Sequence, residues 1–386
     1  MNPMQLRLII FVSFMTLVTI LGARWVGKRL ISDSTFPDTA KTLLWSVLIL
    51  MVSSIIITQW LYRLAPTKDP TPQMTFLYWF AFTSMGALPT LFVITFIREI
   101  SLLAFDGEKR TFAKNFLNIG ALGLSVAGTG YGLFQARSLP RVNRVSVPIT
   151  GLDPKLDGLK IAQLTDVHIG PTIRGDHLSG IVDITNSLKP DIIALTGDFV
   201  DGTIPQLEDQ LVSIGRLSAP LGKYFITGNH EYYWGGRAWV DHFQTKLGCR
   251  ALQNEHVTLN HHGKNILIAG VNDLHSEQFF PEDKCDPVHA LKNAPTHSDF
   301  KLLLAHQPKV CEMTDGKSFD LQISGHTHAG QFWPITMVIH FFHKYVKGLY
   351  RYESMWLYVS PATCYWGPPN RLFNPAEITL IELKRA

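Results

Sequence analysis

Hydrophobic positions are distributed unevenly along the chain. Four stretches lack Asp, Glu, Lys and Arg altogether: Leu8–Ala23, Thr42–Tyr62, Met74–Ile97 and Phe116–Ala136. Each of the last three reaches the about 20 residues that carry a helix across a bilayer. The first is shorter, but Arg7 and Arg24 at its ends can reach towards the headgroups. Trp25, Trp45, Trp60, Tyr62, Tyr78 and Trp79 stand near span ends, as an aromatic belt requires. The alternative is four buried helices in the core of a soluble protein. A cleaved signal peptide is disfavoured, because three further spans follow and no clean small-residue cleavage site is present. Beyond residue 150 the pattern becomes short apolar runs separated by polar loops. The expected organisation is a multi-pass transmembrane domain over 1–136, a basic linker over 137–157 with Arg137, Arg141 and Arg144, and one globular domain over 158–386.

The short runs share a feature. Leu159–Thr165 leads into Asp166-Val167-His168, and Asp191–Thr196 into Gly197-Asp198. Lys223–Thr227 leads into Gly228-Asn229-His230-Glu231, Lys301–Ala305 into His306, and Leu321–Ser324 into Gly325-His326-Thr327-His328. Nearly continuous apolar strands belong to sheets buried on both faces, and ligands bind at strand ends. Glycines beside the polar residues let backbone come close to a metal or phosphate. With candidate helices Asp176–Leu188 and Ile204–Arg216 between the strands, the fold class is an α/β sandwich, its strand order open. Each motif alone is weak; five in succession, each at a strand end, point to a metal centre.

Composition sharpens this. Charged residues are 17% and hydrophobic ones 46%, against about 25% charge in ordinary soluble domains. This excludes a disordered chain, and the net charge of +4 gives no case for nucleic-acid binding. For topology, Arg24, Lys28, Arg29, Lys41, Arg98, Lys109, Arg110 and Lys114 oppose Arg7, Arg63, Lys68, Arg137, Arg141 and Arg144, eight against six. Positive charge favours the cytoplasm, which puts the globular domain on the outer, periplasmic or extracellular, side. Lys109-Arg110 ahead of a glycine-rich span resembles a twin-arginine signal with Lys in the first position, or is an ordinary span with basic flanks. Cys249, Cys285, Cys311 and Cys364 permit two disulfides or four buried thiols.

The five blocks together resemble the calcineurin-like metallophosphoesterases over 159–383. The N-terminal spans, the Gly-His-Thr-His-Ala-Gly-Gln block and the tail Asn374–Leu383 are similar to a membrane-anchored bacterial branch. Ala329 stands where that branch usually has Gly. Gly202 stands where phosphoprotein phosphatases have a phosphate-clamping Arg, which speaks against a phosphoprotein substrate. The resemblance implies a four-layer sandwich, two central β-sheets flanked by helices. It also implies two divalent metal ions, with Mn, Fe and Zn all compatible. Asp166, His168 and His328 would hold the first ion and Asn229, His306 and His326 the second, with Asp198 bridging. Hydroxide activated by the metals would attack phosphorus in line. His230 would stabilise or protonate the leaving oxygen, and Asp201 would fix its tautomer.

Around this set, Glu231 is a partner of the site or a solvated loop carboxylate. Asp273 lines the cleft or lies at the edge of the core. His261, His262, His340 and His343 lack a strand-end context and are expected on the surface. The aromatic segment Phe332–Tyr352 either faces a membrane or an amphiphilic substrate, or forms a buried cluster. The expected function is hydrolysis of a phosphodiester or related ester of a lipid or cell-envelope molecule. A cytoplasmic-face pyrophosphatase acting on a nucleotide-sugar lipid, or a non-catalytic metal-binding sensor module, are the alternatives. The partners expected are a phosphate-ester substrate and the bilayer, with no nucleic acid. The spans lack Asp, Glu, Lys, Arg and His, which argues against ion coupling.

Overall fold

The structure, a computed structural model, describes residues 3–64, 68 and 70–386, with the side chains of 3–9, 11 and 62–64 outside the description. Of the residues used for topology, Arg7, Tyr62 and Arg63 therefore lie outside the described side chains. The chain divides into two units: Met1–Gln135 with Gly367–Leu372, and Ala136–Trp366 with Phe373–Ala386.

The first unit contains helices α1 (Pro3–Val26), α2 (Asp38–Leu64), α3 (Pro72–Ser101) and α4 (Gly107–Arg137). Among the described residues three helices are long and apolar enough to cross a membrane, over Asp38–Leu61, Pro72–Ala104 and Gly107–Arg137. The uncharged stretch Leu8–Ala23 falls within α1. Charges gather beyond the apolar stretches: Arg98 pairs with Glu99, and Arg29 reaches Asp33 at 3.9 Å and Glu99 at 3.8 Å. Two glycines have a packing role. Gly86 of α3 lies against Pro368 and Asn370, and a Cβ on Gly132 of α4 would run into the Asn370 side chain. Arg371 N–H donates to the Gly132 carbonyl at 3.0 Å.

The second unit is built on two six-stranded sheets. The first sheet contains β1 (Arg141–Ile149), β2 (Lys160–Leu164), β3 (Ile192–Thr196), β4 (Lys223–Ile226), β5 (Arg250–Ala251) and β12 (Glu377–Arg385), in the order β1-β12-β2-β3-β4-β5. The second contains β6 (Glu255–His261), β7 (Lys264–Gly270), β8 (Phe300–Leu304), β9 (Leu321–Ser324), β10 (Gly348–Tyr352) and β11 (Met355–Val359), in the order β10-β11-β9-β8-β7-β6. The strands β2-β3-β4 and β7-β8-β9, among which are the five that lead into the motifs, are parallel within each sheet.

Their period of two builds the layers. Ile161, Ile192, Ala194 and Ile226 meet Ile268, Leu302, Leu304 and Ile323 between the sheets. The alternate residues Ala162, Leu164, Ile193, Leu195 and Phe225 face the other way, onto Leu178 and Ile181 of α5 (Gly175–Ser187), Leu207 of α6 (Ile204–Leu211) and Phe243 of α8 (Arg237–Thr245). The second sheet's outer face packs on Ala290, Val310 and Cys311, from short 3-10 helices. This is the expected four-layer sandwich. One segment differs from expectation. Residues 141–149, read as linker, form β1, which pairs in parallel with β12 along its whole length. Its Val147 and Ile149 alternate into the inter-sheet core, a pattern that Arg141 and Arg144 conceal in the sequence.

Gly132→Ala is expected to lower the melting temperature of the full chain in detergent, the overpacking costing roughly 1–3 kcal/mol. An unaltered melting temperature would show that Asn370 repacks freely.

Candidate metal centre

The residues expected at the centre come together from both sheets. The ends of β2, β3 and β4 supply Asp166 with His168, Asp198, and Asn229 with His230; the latter two open helix α7 (Asn229–Tyr233). The ends of β8 and β9 supply His306, and His326 with His328. Among the described residues three groups have ligand atoms close enough to share a cation: Asp166, His168 and His328; His168, Asp198 and His230; and Asp198, His306 and His326.

Local backbone explains why these residues can converge. Asp166, His168, Asp198, His326 and His328 all have φ between +48° and +72°, a region sparsely used by residues with a Cβ. Strain of this kind collects at functional sites. Neighbouring glycines leave the space: a Cβ on Gly228 would run into the Asp198 carboxylate, and one on Gly325 into Asp166 and Thr165. Ala329, where the resembled branch has Gly, has φ 50° and ψ 34° and so carries the left-handed strain that glycine avoids.

The hydrogen bonds fix which nitrogens are free. His306 Nδ1 lies 2.8 Å from the Thr196 carbonyl and must donate to it. In the neutral ring the lone pair on Nε2 then faces Asp198 Oδ2 at 3.1 Å and His326 Nδ1 at 3.3 Å. His168 Nδ1 lies 3.4 Å from Asp201, while its Nε2 faces His328 Nε2 at 3.1 Å. His328 Nε2 is also 3.3 Å from Asp166 Oδ1. Asn229 Oδ1 is buried with no hydrogen-bond partner among the described residues. Acceptors thus face acceptors out of water, an arrangement that needs protons or metal cations between them. Mixed oxygen and imidazole donors suit divalent first-row metals.

Electrostatics follow the same geometry. Burial works against charge throughout, yet His328 and His306 hold the Asp166 carboxyl below the usual range, and His306 and His230 hold that of Asp198 well below it. His326 is pushed down to about 3 by burial and by His306, and is therefore neutral. His230 Nδ1 hydrogen-bonds Asp201. Although burial opposes its charge, Asp198 and Asp201 raise it to about 9. His230 Nε2 stays 4.0 Å from Asp198 Oδ2.

The structure decides several placements that the sequence left open or misjudged. Glu231 is fully buried and accepts from the backbone N–H groups of Asp198 at 2.9 Å, Phe199 at 2.7 Å and Gly228 at 2.7 Å. It therefore fastens the β3 loop to the β4 loop, and burial with the nearby Asp198 pushes its carboxyl up to about 7. A solvated loop carboxylate is excluded. Asp273 is buried and accepts from the Gln307 side chain, beside His306. His343, expected on the surface, stands edge-on to His326 with ring centroids 5.7 Å apart. The four cysteines are buried and form no disulfide.

Glu231→Gln places an amide N–H against backbone donors. It is expected to destabilise the protein by roughly 1–3 kcal/mol. A full-chain melting temperature equal to wild type would contradict the fastening role.

The family model described as Calcineurin-like phosphoesterase matches residues 159–330. A "Transmembrane protein with metallophosphoesterase domain" of Danio rerio is 29% identical over 97% of this chain and 89% of that protein. One so named from Bos taurus is 35% identical over 66% of this chain but only 60% of its own length. An uncharacterized metallophosphoesterase of Helicobacter pylori (strain ATCC 700392 / 26695) is 33% identical over 75% of this chain and 76% of that protein. The similarity thus reaches vertebrate as well as bacterial proteins. With the strand-end blocks, the two-sheet sandwich and these relatives in hand, the chain belongs to the calcineurin-like metallophosphoesterase family.

Proposed function

We propose that the protein is a membrane-anchored dinuclear metal-dependent phosphoesterase that cleaves a phosphodiester, or related ester, of a lipid or cell-envelope molecule. The facing of acceptor against acceptor among Asp166, His168, Asp198, His306, His326 and His328 carries this reading. In it Asp166, His168 and His328 hold one divalent ion, Asn229, His306 and His326 the other, and Asp198 reaches both. Two such ions, when bound, neutralise phosphoryl oxygens and acidify a water for in-line attack.

The chain's own residues do the rest. Asp201 accepts a hydrogen bond from the Nδ1–H of His230 and fixes the ring's orientation. The charged ring then has an Nε2 proton to give to the leaving oxygen. Gly202 leaves the position after Asp201 without a clamping Arg, which suits a diester better than the doubly charged monoester.

An amphiphilic substrate is supported by the segment after His328. Phe332 and Tyr345 are buried, but Met337, Phe341 and Phe342 are 66%, 86% and 76% exposed, with Lys344, Lys347 and Arg351 following. Such a mixture suits a lipid interface. The excess of Lys and Arg in the loops after the first and third spans supports an outer location for the catalytic domain.

The test uses the full chain in detergent, stripped of metal and resupplied with Mn or Zn. Metal-dependent cleavage of an aryl phosphodiester, exceeding that of the aryl monoester and lost in Asp198→Asn, is expected. Metal bound without turnover of soluble or vesicle-borne esters would leave a binding module instead. His230→Ala is expected to retain its metal while turnover slows at least about tenfold; intact turnover with intact metal would remove His230 from the chemistry. As an acid, His230 must be protonated, so kcat falls as pH rises through its pKa. Asp201→Asn removes a charge that raises that pKa, so the alkaline limb of the kcat profile is expected to move to lower pH.

A further inference from the structure

Two large aromatic side chains stand half in water beside the candidate metal centre, Trp366 at 49% and Tyr233 at 50% exposure. Both meet the same imidazole. The Trp366 ring lies 5.4 Å from that of His230 at an interplanar angle of 80°, and the Tyr233 ring 5.1 Å away at 59°. Trp366 also lies 6.3 Å from the His168 ring. The chemistry proposed above gives neither ring a task.

Single exposed aromatics are common on protein surfaces, but these two are anchored. Gln331, the last residue of the Gly-His-Thr-His-Ala-Gly-Gln block, holds the Trp366 backbone from both sides. Its Nε2 donates to the Trp366 carbonyl at 3.0 Å, and Trp366 N–H donates to its Oε1 at 2.8 Å. The residues before Trp366 are laced along the end of β2. Thr363 N–H donates to Thr165 at 2.9 Å, Cys364 N–H to Asp166 at 3.3 Å, and the Tyr365 hydroxyl to Thr172 at 3.2 Å. Tyr233 ends the short helix that begins with Asn229 and His230, and Phe279 backs its ring at 5.8 Å. The same segments that present the candidate ligands therefore preset both rings, so little conformational freedom is lost when they meet a ligand.

The geometry points to Trp366 and Tyr233 as the leaving-group subsite, selecting esters whose leaving group carries a planar aryl or heteroaryl ring. The inference rests on the phosphoesterase reading, since it is His230, which that reading sets against the leaving oxygen, that both aromatics flank. A flat ring gains stacking or edge contact from both. A neutral alkyl chain gains area alone. A cationic head group would be attracted by the π-faces but opposed by the two divalent cations the reading requires.

The experiment compares the full chain in detergent with Trp366→Ala, Trp366→Phe and Tyr233→Ala. The substrates are the p-nitrophenyl, n-butyl and cholinyl esters of methyl phosphate, followed by phosphorus NMR. Intrinsic differences between leaving groups cancel when each variant is divided by wild type. Trp366→Ala and Tyr233→Ala are each expected to lower the aryl-over-butyl selectivity in kcat/KM about tenfold, mainly through KM. Trp366→Phe is expected to keep most of it. Equal losses on all three esters would make the rings structural, no loss would make them spectators, and the largest loss on the cholinyl ester would assign the subsite to a cation; each outcome overturns the proposal. Failure of the underlying reading looks different: wild type with added metal would then hydrolyse none of the three esters, and the subsite would fall with it.

Discussion

Electron-pair repulsion at the strand ends is the constraint on which this globular unit depends. Imidazole nitrogens and carboxylate oxygens approach one another to between 3.1 and 3.3 Å. Five of the residues that carry them sit at positive φ, at Asp166, His168, Asp198, His326 and His328. Each such residue costs roughly 1–2 kcal/mol, so local preference would scatter the set. Surrounding bonds hold it together. Asp166 accepts from His326 N–H at 3.0 Å and from the Thr165 hydroxyl at 2.7 Å. Asp198 accepts from His230 N–H at 2.8 Å, and Glu231 ties three more N–H groups. A site that crowds so many buried acceptors needs protons or metal cations between them.

The repulsive set is split between two sheets, so their mutual position must be fixed as well. Apolar contact between β2-β3-β4 and β7-β8-β9 supplies cohesion but tolerates sliding. A buried polar network supplies register. Gln163 donates to the Thr196 hydroxyl at 2.9 Å and to the Ser324 carbonyl at 3.0 Å, and His306 donates to the Thr196 carbonyl at 2.8 Å. The first of these links ties β2 to β3 within one sheet, and the other two join the end of β2 to that of β9 and the end of β3 to that of β8. A displaced sheet would leave buried polar groups unpaired, which is costly. The same contacts that align the sheets thus also set the orientation of a candidate ligand.

What was legible in the sequence follows from this division. Strand ends were legible because apolar runs stop at a side chain that no strand interior would hold. The inter-sheet core was legible as alternation, Ile192 and Ala194 facing one way and Ile193 and Leu195 the other. Contacts made at long sequence distance were not. β1 gains its place only by pairing with β12, more than two hundred residues on, and its arginines resemble a linker. Glu231 looks like any loop acid until three backbone donors from two loops converge on it. His343 and Trp366 follow no strand that would mark them, and turns of the chain after His328 and after β11 bring them to His326 and His230. The aromatic segment Phe332–Tyr352 divides between buried Phe332 and exposed Phe341, a split that composition cannot reveal.

These two late-arriving groups bear on the substrate that the proposed phosphoesterase reading would require. His343, preceded in the chain by the exposed Phe341 and Phe342, adjoins His326, whereas Trp366 and Tyr233 adjoin His230. His326 shares a candidate ligand group with Asp198 and His306, and His230 one with His168 and Asp198, so Asp198 is common to both. In-line displacement needs the attacking and leaving oxygens on opposite faces of phosphorus, and a diester carries a second substituent besides the leaving group. A monoester has nothing to offer one of these two aromatic surroundings. On the reading proposed above, a diester with two unlike arms can fill both, one arm meeting the paired rings and the other the exposed aromatic segment with its basic residues. If the centre is the proposed phosphoesterase, the presence of both surroundings around it, with no arginine after Asp201 to clamp a second phosphate charge, favours a diester on grounds independent of the metal ligands themselves.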